Sequence, residues 1–103
     1  MRLLYKETYF DDLEVIENYV ANNFNAELAL RVVREIHRGC LILAEQPRFG
    51  RIYARNPYFR YLIVKGKNLV FYHLDEEAQA VLLHRVFDSR RDYADAVSNA
   101  AEL

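Results

Sequence analysis

The feature that most constrains the fold of this sequence is a single change of hydrophobic periodicity, at Pro47-Arg48-Phe49-Gly50-Arg51. Before this segment, apolar residues recur at three- and four-residue steps, which is the period of an amphipathic helix. After it, apolar and polar residues alternate, which is the period of a strand. Proline cannot continue a helix, and glycine allows the backbone dihedrals of a turn. The segment therefore predicts the boundary between a helical half and a β half.

The helical half contains two amphipathic segments, one over residues 10–24 and one from Asn25 to about residue 45. Asn25 is a good N-cap for the second helix, and the short connection between the helices predicts an antiparallel hairpin. Gly39 interrupts the second pattern and costs about 1 kcal/mol relative to alanine, which predicts a close helix crossing or a bend. The apolar stripe of this helix consists of Ala29, Val32, Val33, Ile36, Cys40 and Leu43.

The β half predicts three strands, over residues 59–64, 68–74 and 79–87. A tight turn at 65–67 and an acidic turn at 75–77 join them into an antiparallel meander. Residues 2–9 predict a first strand, and the tail after Asp92 predicts a short helix. The expected fold class is α+β: an N-terminal strand, an antiparallel helical hairpin and a three- to four-stranded antiparallel sheet, with the hairpin on one face. The 103 residues form one domain, 1–103.

Several kinds of chemistry have no support in the sequence. It contains no glycine-rich phosphate loop, no nucleophile elbow and no carboxylate pair placed for acid–base catalysis. Cys40 lies in an apolar helical pattern and is expected in the core, and the three histidines have no metal-ligand spacing. We therefore expect no cofactor and no metal. Because no apolar run approaches the ~20 residues of a membrane span and the N-terminus lacks the long apolar region of a signal peptide, we expect a cytoplasmic protein without membrane contact.

Charge is segregated along the chain, although the formal net charge is only −1. Residues 47–74 contain six basic side chains and no acidic one. One interpretation is a solvated strand face with lysines that protect a sheet edge. The other is a basic surface for phosphate or for an acidic protein segment, with aromatic side chains that stack or hydrogen-bond. These aromatic residues are Tyr53, Tyr58, Phe59 and Tyr61.

The last apolar run, over residues 80–87, leads directly into Asp88-Ser89-Arg90-Arg91-Asp92-Tyr93. A strand that ends in arginines and a tyrosine delivers cationic and hydrogen-bonding groups to one edge of the domain. The alternative is a purely structural role, in which Arg85 and Arg90 form ion pairs with Asp88 and Asp92. Alternation places His84 and Arg85 on opposite faces unless a bulge intervenes. The candidate binding residues are Arg51, Arg60, Lys65, Lys67, Arg85, Arg90, Arg91 and Tyr93.

The order of these motifs over nearly the whole chain resembles the RelE/ParE superfamily of toxins from type II toxin–antitoxin systems. The resemblance rests on the following segments: Asp12-Leu13-Glu14 with Ile16 and Tyr19, Leu43-Ala44-Glu45-Gln46-Pro47-Arg48-Phe49-Gly50-Arg51, Arg60, Leu69-Val70-Phe71-Tyr72, and Arg85-Val86-Phe87-Asp88-Ser89-Arg90-Arg91-Asp92-Tyr93. It implies a small bacterial toxin that a cognate antitoxin neutralises. RelE-like members cut messenger RNA on the ribosome, whereas ParE-like members have no known catalytic constellation and poison DNA gyrase.

The helix-ending Pro-x-x-Gly-Arg and the strand-ending Arg-Val-Phe followed by Arg-Arg-Asp look more like the ParE-like branch. Asp88, Ser89 and Asn68, which stand where many relatives carry histidine, glycine and arginine, weaken the RNase interpretation. The resemblance then implies gyrase inhibition by protein binding, growth inhibition and plasmid stabilization. The alternative is a RelE-like mRNA endonuclease, with the ribosome and mRNA as partners. In that case Arg60 and either Arg90 or Arg91 would hold the phosphate, and Tyr93 or His84 would move protons. A degenerate relative that only binds its antitoxin is the third hypothesis, and both a homodimer and a toxin–antitoxin hetero-oligomer stay open.

Overall fold

The order of elements is one strand, two helices and four further strands. A computed structural model describes residues 1–90, Tyr93, Ala94 and Val97. The helices are α1 (Glu7–Asn23) and α2 (Ala26–Gly39), and a short 3₁₀ helix follows at Leu41–Ala44. The strands are β1 (Arg2–Tyr5), β2 (Arg51–Ile52), β3 (Arg60–Val64), β4 (Asn68–Asp75) and β5 (Ala80–Asp88). The predicted α+β class is confirmed.

All five strands form one sheet in the order β1-β5-β4-β3-β2. Strands β2 to β5 are an antiparallel meander, as the short turns predict, whereas β1 pairs with β5 in parallel. The turn between β3 and β4 has positive φ at Lys65 and Gly66, and the Lys67 N–H donates to the Val64 carbonyl at 3.1 Å. Positive φ at both central residues is typical of a type I′ turn, which here lies within the three-residue connection between the paired Val64 and Asn68.

The first strand is shorter than predicted, because α1 begins at Glu7 and contains Tyr9. Tyr9 and Leu13 lie four residues apart and both are buried, so this spacing belongs to the helix. The predicted N-cap of α2 is confirmed, since the Asn25 side chain accepts a hydrogen bond from the Leu28 N–H at 2.7 Å.

Helix α2 ends at Gly39 rather than near residue 45. A Cβ atom at Gly39 would lie 2.8 Å from Cγ1 of Val64. The predicted helix crossing is therefore wrong, because the element that approaches this glycine closely is strand β3 rather than a helix. The chain then continues as the 3₁₀ helix, in which Leu43 is fully buried.

Apolar side chains cover both faces of the sheet. On one face the strands pack against α1, α2 and the 3₁₀ helix in the main core, around residues such as Tyr9, Ile36 and Tyr72. The opposite face carries a second cluster, which we call the aromatic face; it consists of Tyr53, Phe59, Tyr61, Leu69, Phe71, Phe87, Tyr93 and Val97. The sheet therefore buries apolar side chains on the side away from the helices as well, although Ile63 on that side stays exposed.

The predicted C-terminal helix falls mostly outside the described residues. Within the described part, the Val97 N–H donates to the Tyr93 carbonyl at 3.1 Å, which is a helical i to i+4 hydrogen bond. In the portion of the chain that the structure describes, none of the helices combines the length and apolar character needed to cross a membrane.

Candidate binding surface

Side chains of helix α1 hydrogen-bond to the part of the β5 edge that extends beyond β1. The Thr8 hydroxyl donates to the His84 carbonyl at 2.6 Å, and an Asp12 carboxylate oxygen accepts from the Val86 N–H at 2.8 Å. Backbone groups at a sheet edge need such partners when they are partly buried. The first half of α1 therefore closes the part of the β5 edge that β1 does not reach.

Arg85 makes a structural ion pair with Asp12. Its Nε and Nη2 atoms lie 2.8 and 3.1 Å from the two carboxylate oxygens, and its guanidinium carbon lies 4.7 Å from the centroid of the Phe87 ring. The interpretation that Arg85 pairs with Asp88 is therefore wrong. No local pattern reveals the true partner, because 73 residues separate Asp12 from Arg85. As a binding residue, Arg85 would have to act from within this pair.

Arg60 holds the loop that follows the 3₁₀ helix. It pairs with Tyr72 across the β3–β4 ladder, which places it on the helix-facing side of the sheet. One guanidinium nitrogen donates to the Gly50 carbonyl at 3.0 Å and lies 3.4 Å from the Arg48 carbonyl. The Tyr72 hydroxyl accepts from the Gly50 N–H and donates to the Pro47 carbonyl, both at 2.9 Å. Arg60 and Tyr72 together fix the loop 47–50.

A row of four side chains crosses the aromatic face. Arg51 pairs with Tyr61, Tyr61 with Phe71, and Phe71 with Arg85, so two aromatic rings lie between two arginine positions. Tyr93 packs over this row, with its ring centroid 5.6 Å from that of Phe71. A cavity of about 230 Å³ opens beside the row and is lined by Ile52, Tyr53, Ala54, Arg55, Tyr61, Phe71 and Tyr93.

Three exposed cations lie at one end of the sheet, which we call the basic end: Lys65, Lys67 and Arg90. The Ser89 N–H donates to the Lys67 carbonyl at 2.7 Å and so joins the end of β5 to the β3–β4 turn. Arg90 donates to both carboxylate oxygens of Asp88, at 3.0 and 2.9 Å. The interpretation that Arg90 pairs with a neighbouring acid is therefore confirmed. These hydrogen bonds raise the pKa of Arg90. Arg91 lies outside the described residues.

His84 is the extra residue of a β-bulge. Arg85 pairs with Phe71 and Leu83 pairs with Tyr72, so His84 has no opposite residue on β4. The β-bulge that the sequence analysis considered as an exception to strict alternation is therefore present. His84 is only 1% exposed, and its Nε2 atom lies 2.8 Å from Nδ1 of His73. Burial lowers the pKa of His84 to about 4, with smaller contributions from His73 and Lys6, so the imidazole is neutral at pH 7.

The residues named for RNA cleavage do not converge within the described part of the chain. Arg60 holds the loop 47–50 on the helix-facing side, and His84 is buried under the aromatic face. Arg90 lies at the basic end and is paired with Asp88, while Tyr93 packs on aromatic rings. General acid–base catalysis needs such groups within hydrogen-bond reach of one substrate position.

Among the described residues, no group of three or more His, Cys, Asp or Glu side chains is arranged to hold a metal ion. The arrangement of the surface suits binding: exposed cations lie at one end, and a mixed aromatic and cationic face lies beside them.

An exposed apolar groove between α1 and α2 was missed by the sequence analysis. It has a volume of about 550 Å³ and is lined by Phe10, Leu13, Glu14, Glu17, Val33 and His37. Phe10, Val15 and Tyr19 on α1 are each more than half exposed. A signal was present, because α1 carries Val15 and Tyr19 in addition to its buried stripe, more apolar surface than the sheet can cover.

The fold defines the class of protein: a small α+β domain of the RelE/ParE type, with a helical hairpin on one face of a mostly antiparallel sheet. Residues 3–93 match the family described as the ParE toxin of the type II toxin–antitoxin system parDE. The chain therefore belongs to the ParE toxin family of type II toxin–antitoxin systems.

Solved structures share this fold. The chromosomal ParDE TA system from P. aeruginosa matches with a TM-score of 0.76 at 19% identity, over 85% of this chain and 95% of the other. The toxin–antitoxin complex RelBE2 from Mycobacterium tuberculosis matches with a TM-score of 0.56 at 21% identity, over 84% of this chain and 95% of the other. At these identities the likeness shows the fold alone. No curated protein matches the chain in sequence.

Proposed function

We propose that this ParE-family toxin acts in the bacterial cytoplasm by binding DNA gyrase, and that a cognate antitoxin neutralises it. Growth inhibition and plasmid stabilization are the consequences of such a pair. The observation that carries the proposal is the separation of Arg60, His84, Arg90 and Tyr93, because a binding toxin needs surfaces rather than a convergent catalytic set. Membership of the ParE family supports the same conclusion.

The basic end is the proposed effector surface. Lys65, Lys67 and Arg90 are exposed, and Arg91 follows directly in the sequence. Arg51 lies on the aromatic face, where its row also carries Tyr61 and Phe71. Arginine and tyrosine are enriched among the residues that contribute most to protein interfaces, and cations select an acidic partner surface.

The antitoxin is proposed to cover the groove between α1 and α2. Exposed Phe10 offers an apolar anchor, and Glu14 and Glu17 make the rim acidic. An amphipathic segment with apolar residues on one face and basic residues beside them fits such a groove. Phe10→Ala should then weaken rescue of growth by a co-expressed cognate antitoxin. Ile63→Ala, which removes an exposed apolar side chain on β3, is the control that should leave rescue unchanged.

The second candidate is an mRNA endonuclease that acts on the ribosome. Exposed Arg51 and half-buried Tyr61, which pair across β2 and β3 on the aromatic face, favour it, because an aromatic ring with a nearby arginine binds single-stranded nucleic acid by stacking and charge. Under this hypothesis Arg60 and Arg90 or Arg91 hold the phosphate, Tyr93 or His84 handles protons, and the ribosome supplies the missing groups. Tyr93→Phe should then slow cleavage and leave ribosome binding intact.

One experiment separates the two candidates. The toxin is induced without antitoxin, and incorporation of labelled thymidine and labelled methionine is followed within minutes in the same culture. We expect DNA synthesis to fail first. If protein synthesis collapses first, the endonuclease hypothesis replaces ours, and if neither falls the chain is a degenerate relative without toxicity.

A double variant tests the effector surface. Arg90→Ala with Arg91→Ala should reduce growth inhibition while the thermal midpoint of unfolding stays close to that of the parent. Arg31→Ala with Arg34→Ala is the matched control, because it removes two exposed arginines from α2 and should leave growth inhibition unchanged. Full toxicity of the Arg90/Arg91 variant would exclude the arginine end as the effector surface.

A further inference from the structure

A hydrogen-bonded chain of three side chains ties the segment 53–59 to the bulge in β5. The Tyr58 hydroxyl lies 3.1 Å from Nε2 of His73, and Nδ1 of His73 lies 2.8 Å from Nε2 of His84. The Tyr58 ring also stacks on His73 with 4.4 Å between centroids, while Phe59 meets His84 edge to face at 5.0 Å. The segment thus rests on both histidines.

The number of protons shared by these three side chains decides whether the hydrogen bonds between them persist. With both histidines neutral, each of the two hydrogen bonds contains one proton, which the tautomers can supply. One added proton is tolerated on His73, because its two N–H groups then donate to Tyr58 and to Nε2 of His84. A second proton, on Nε2 of His84, would set two N–H groups and two positive charges against each other across 2.8 Å. The histidine pair therefore accepts one added proton but not two.

The surroundings of His84 also disfavour a second proton on the histidine pair. Burial is the main cause of its lowered pKa, and the charges that act on the pair are those of Lys6, which lowers the pKa of both rings, and Asp75, which raises that of His73. The segment above it is closed by the Tyr53 N–H, which donates to the Phe59 carbonyl at 2.9 Å. Since His84 is 1% exposed, a second proton can be hydrated only when this segment lifts.

We propose that Tyr58, His73 and His84 form an acid-sensitive latch, which holds the segment 53–59 on the aromatic face at neutral pH and releases it when both histidines are protonated. Release would expose Phe59 and His84 and widen access to the aromatic face. The proposal depends on the contacts of these three residues and stands whether the protein binds gyrase or cuts RNA.

Amide hydrogen exchange tests the latch in the intact chain. Protection of the Tyr53 and Phe59 amides, corrected for the intrinsic exchange rate, is compared at pH 7.5 and pH 5.0 with that of Val70 in the core of β4. A pKa of about 4 in the closed form against the ordinary 6.5 in the open form predicts about 30-fold more opening at pH 5.0. Protection of the Val70 amide should change much less, because release of the segment 53–59 does not by itself open β4.

His84→Gln is the decisive variant, because an amide keeps a hydrogen-bonding group near the Nε2 position but does not titrate. The pH dependence of segment opening should disappear in it and persist in the control His37→Gln, whose histidine bonds to Tyr9 on the helix side. If His84→Gln does not fold, NMR titration of the parent histidines decides. Two steps for the pair, one of them below pH 5, support the latch; two independent steps near pH 6.5, or acid-induced opening that survives in His84→Gln, overturn it.

Discussion

Removal of the Asp12 carboxylate should destabilise the fold far more than the loss of an ordinary surface acid. Asp12 accepts three hydrogen bonds, from Nε and Nη2 of Arg85 and from the Val86 N–H. Only 14% of its side chain is exposed, and 27% of that of Arg85. Asp12→Ala therefore leaves a partly buried cation and a backbone donor at the edge of β5 without their partner.

The magnitude follows from these contacts. An unsatisfied buried backbone donor costs about 1–3 kcal/mol, and hydrogen bonds to a charged group contribute about 1.5–3 kcal/mol. Arg85 keeps its contact with Phe87 and can turn toward water, so the sum should lie near 3 kcal/mol rather than at the upper limit. For a domain of this size that corresponds to a fall of about 10–20 °C in Tm. Asp12→Asn keeps an acceptor oxygen and should lose about half as much.

Urea unfolding of Asp12→Ala, Arg85→Ala and the double variant measures the effect as a thermodynamic cycle. We expect a coupling free energy of about 1–2 kcal/mol between the two side chains. Asp11→Ala is the matched control, because Asp11 is exposed in the same turn of α1 and should cost less than about 0.5 kcal/mol. Equal stabilities of Asp12→Ala and Asp11→Ala would refute the structural role of this ion pair.

Three further predictions concern the core and the loop 47–50. Tyr72→Phe removes the hydroxyl that bonds Gly50 and Pro47 and should lower the free energy of unfolding by about 1–3 kcal/mol in urea titration. Gly50→Ala would place Cβ 2.5 Å from the Tyr72 hydroxyl and 2.7 Å from the Tyr61 carbonyl oxygen, so we expect a loss of about 1–3 kcal/mol that Tyr72→Phe relieves only in part. Burial raises the pKa of the Cys40 thiol to about 12, so the thiolate fraction at pH 8 is roughly 1,000-fold lower in the folded than in the unfolded protein, and a disulfide reagent should label the folded protein slower by about that factor. Rapid labelling of the folded chain would contradict this burial.

Much of the fold could be predicted because the decisive signals are local. The N-cap at Asn25, the turn at Lys65 and Gly66 and the change of period at residues 47–51 each depend on neighbours within a few positions. The ends of elements were less predictable. Tyr9 fits a strand pattern as well as a helix pattern, and only its burial against the main core places it in α1.

The candidate site was predicted in composition but not in arrangement. The sequence analysis named Arg60, His84 and Arg85 as candidate site residues, whereas each has a different environment: a loop, a second histidine ring and an acid on α1. The helix groove was missed because a stripe of apolar residues does not reveal which part of it the sheet will cover.

What the sequence alone determined is therefore the class of fold and the family, since periodicity, caps and turns act over short separations. Tertiary structure decided the parallel pairing of β1 with β5, the bulge at His84 and the partner of Arg85. The physical reason is the same in all three cases: an edge strand, a shifted register and a half-buried charge each take the partner that the packed chain brings near. For Arg85 that partner is 73 residues away, beyond the reach of any local pattern.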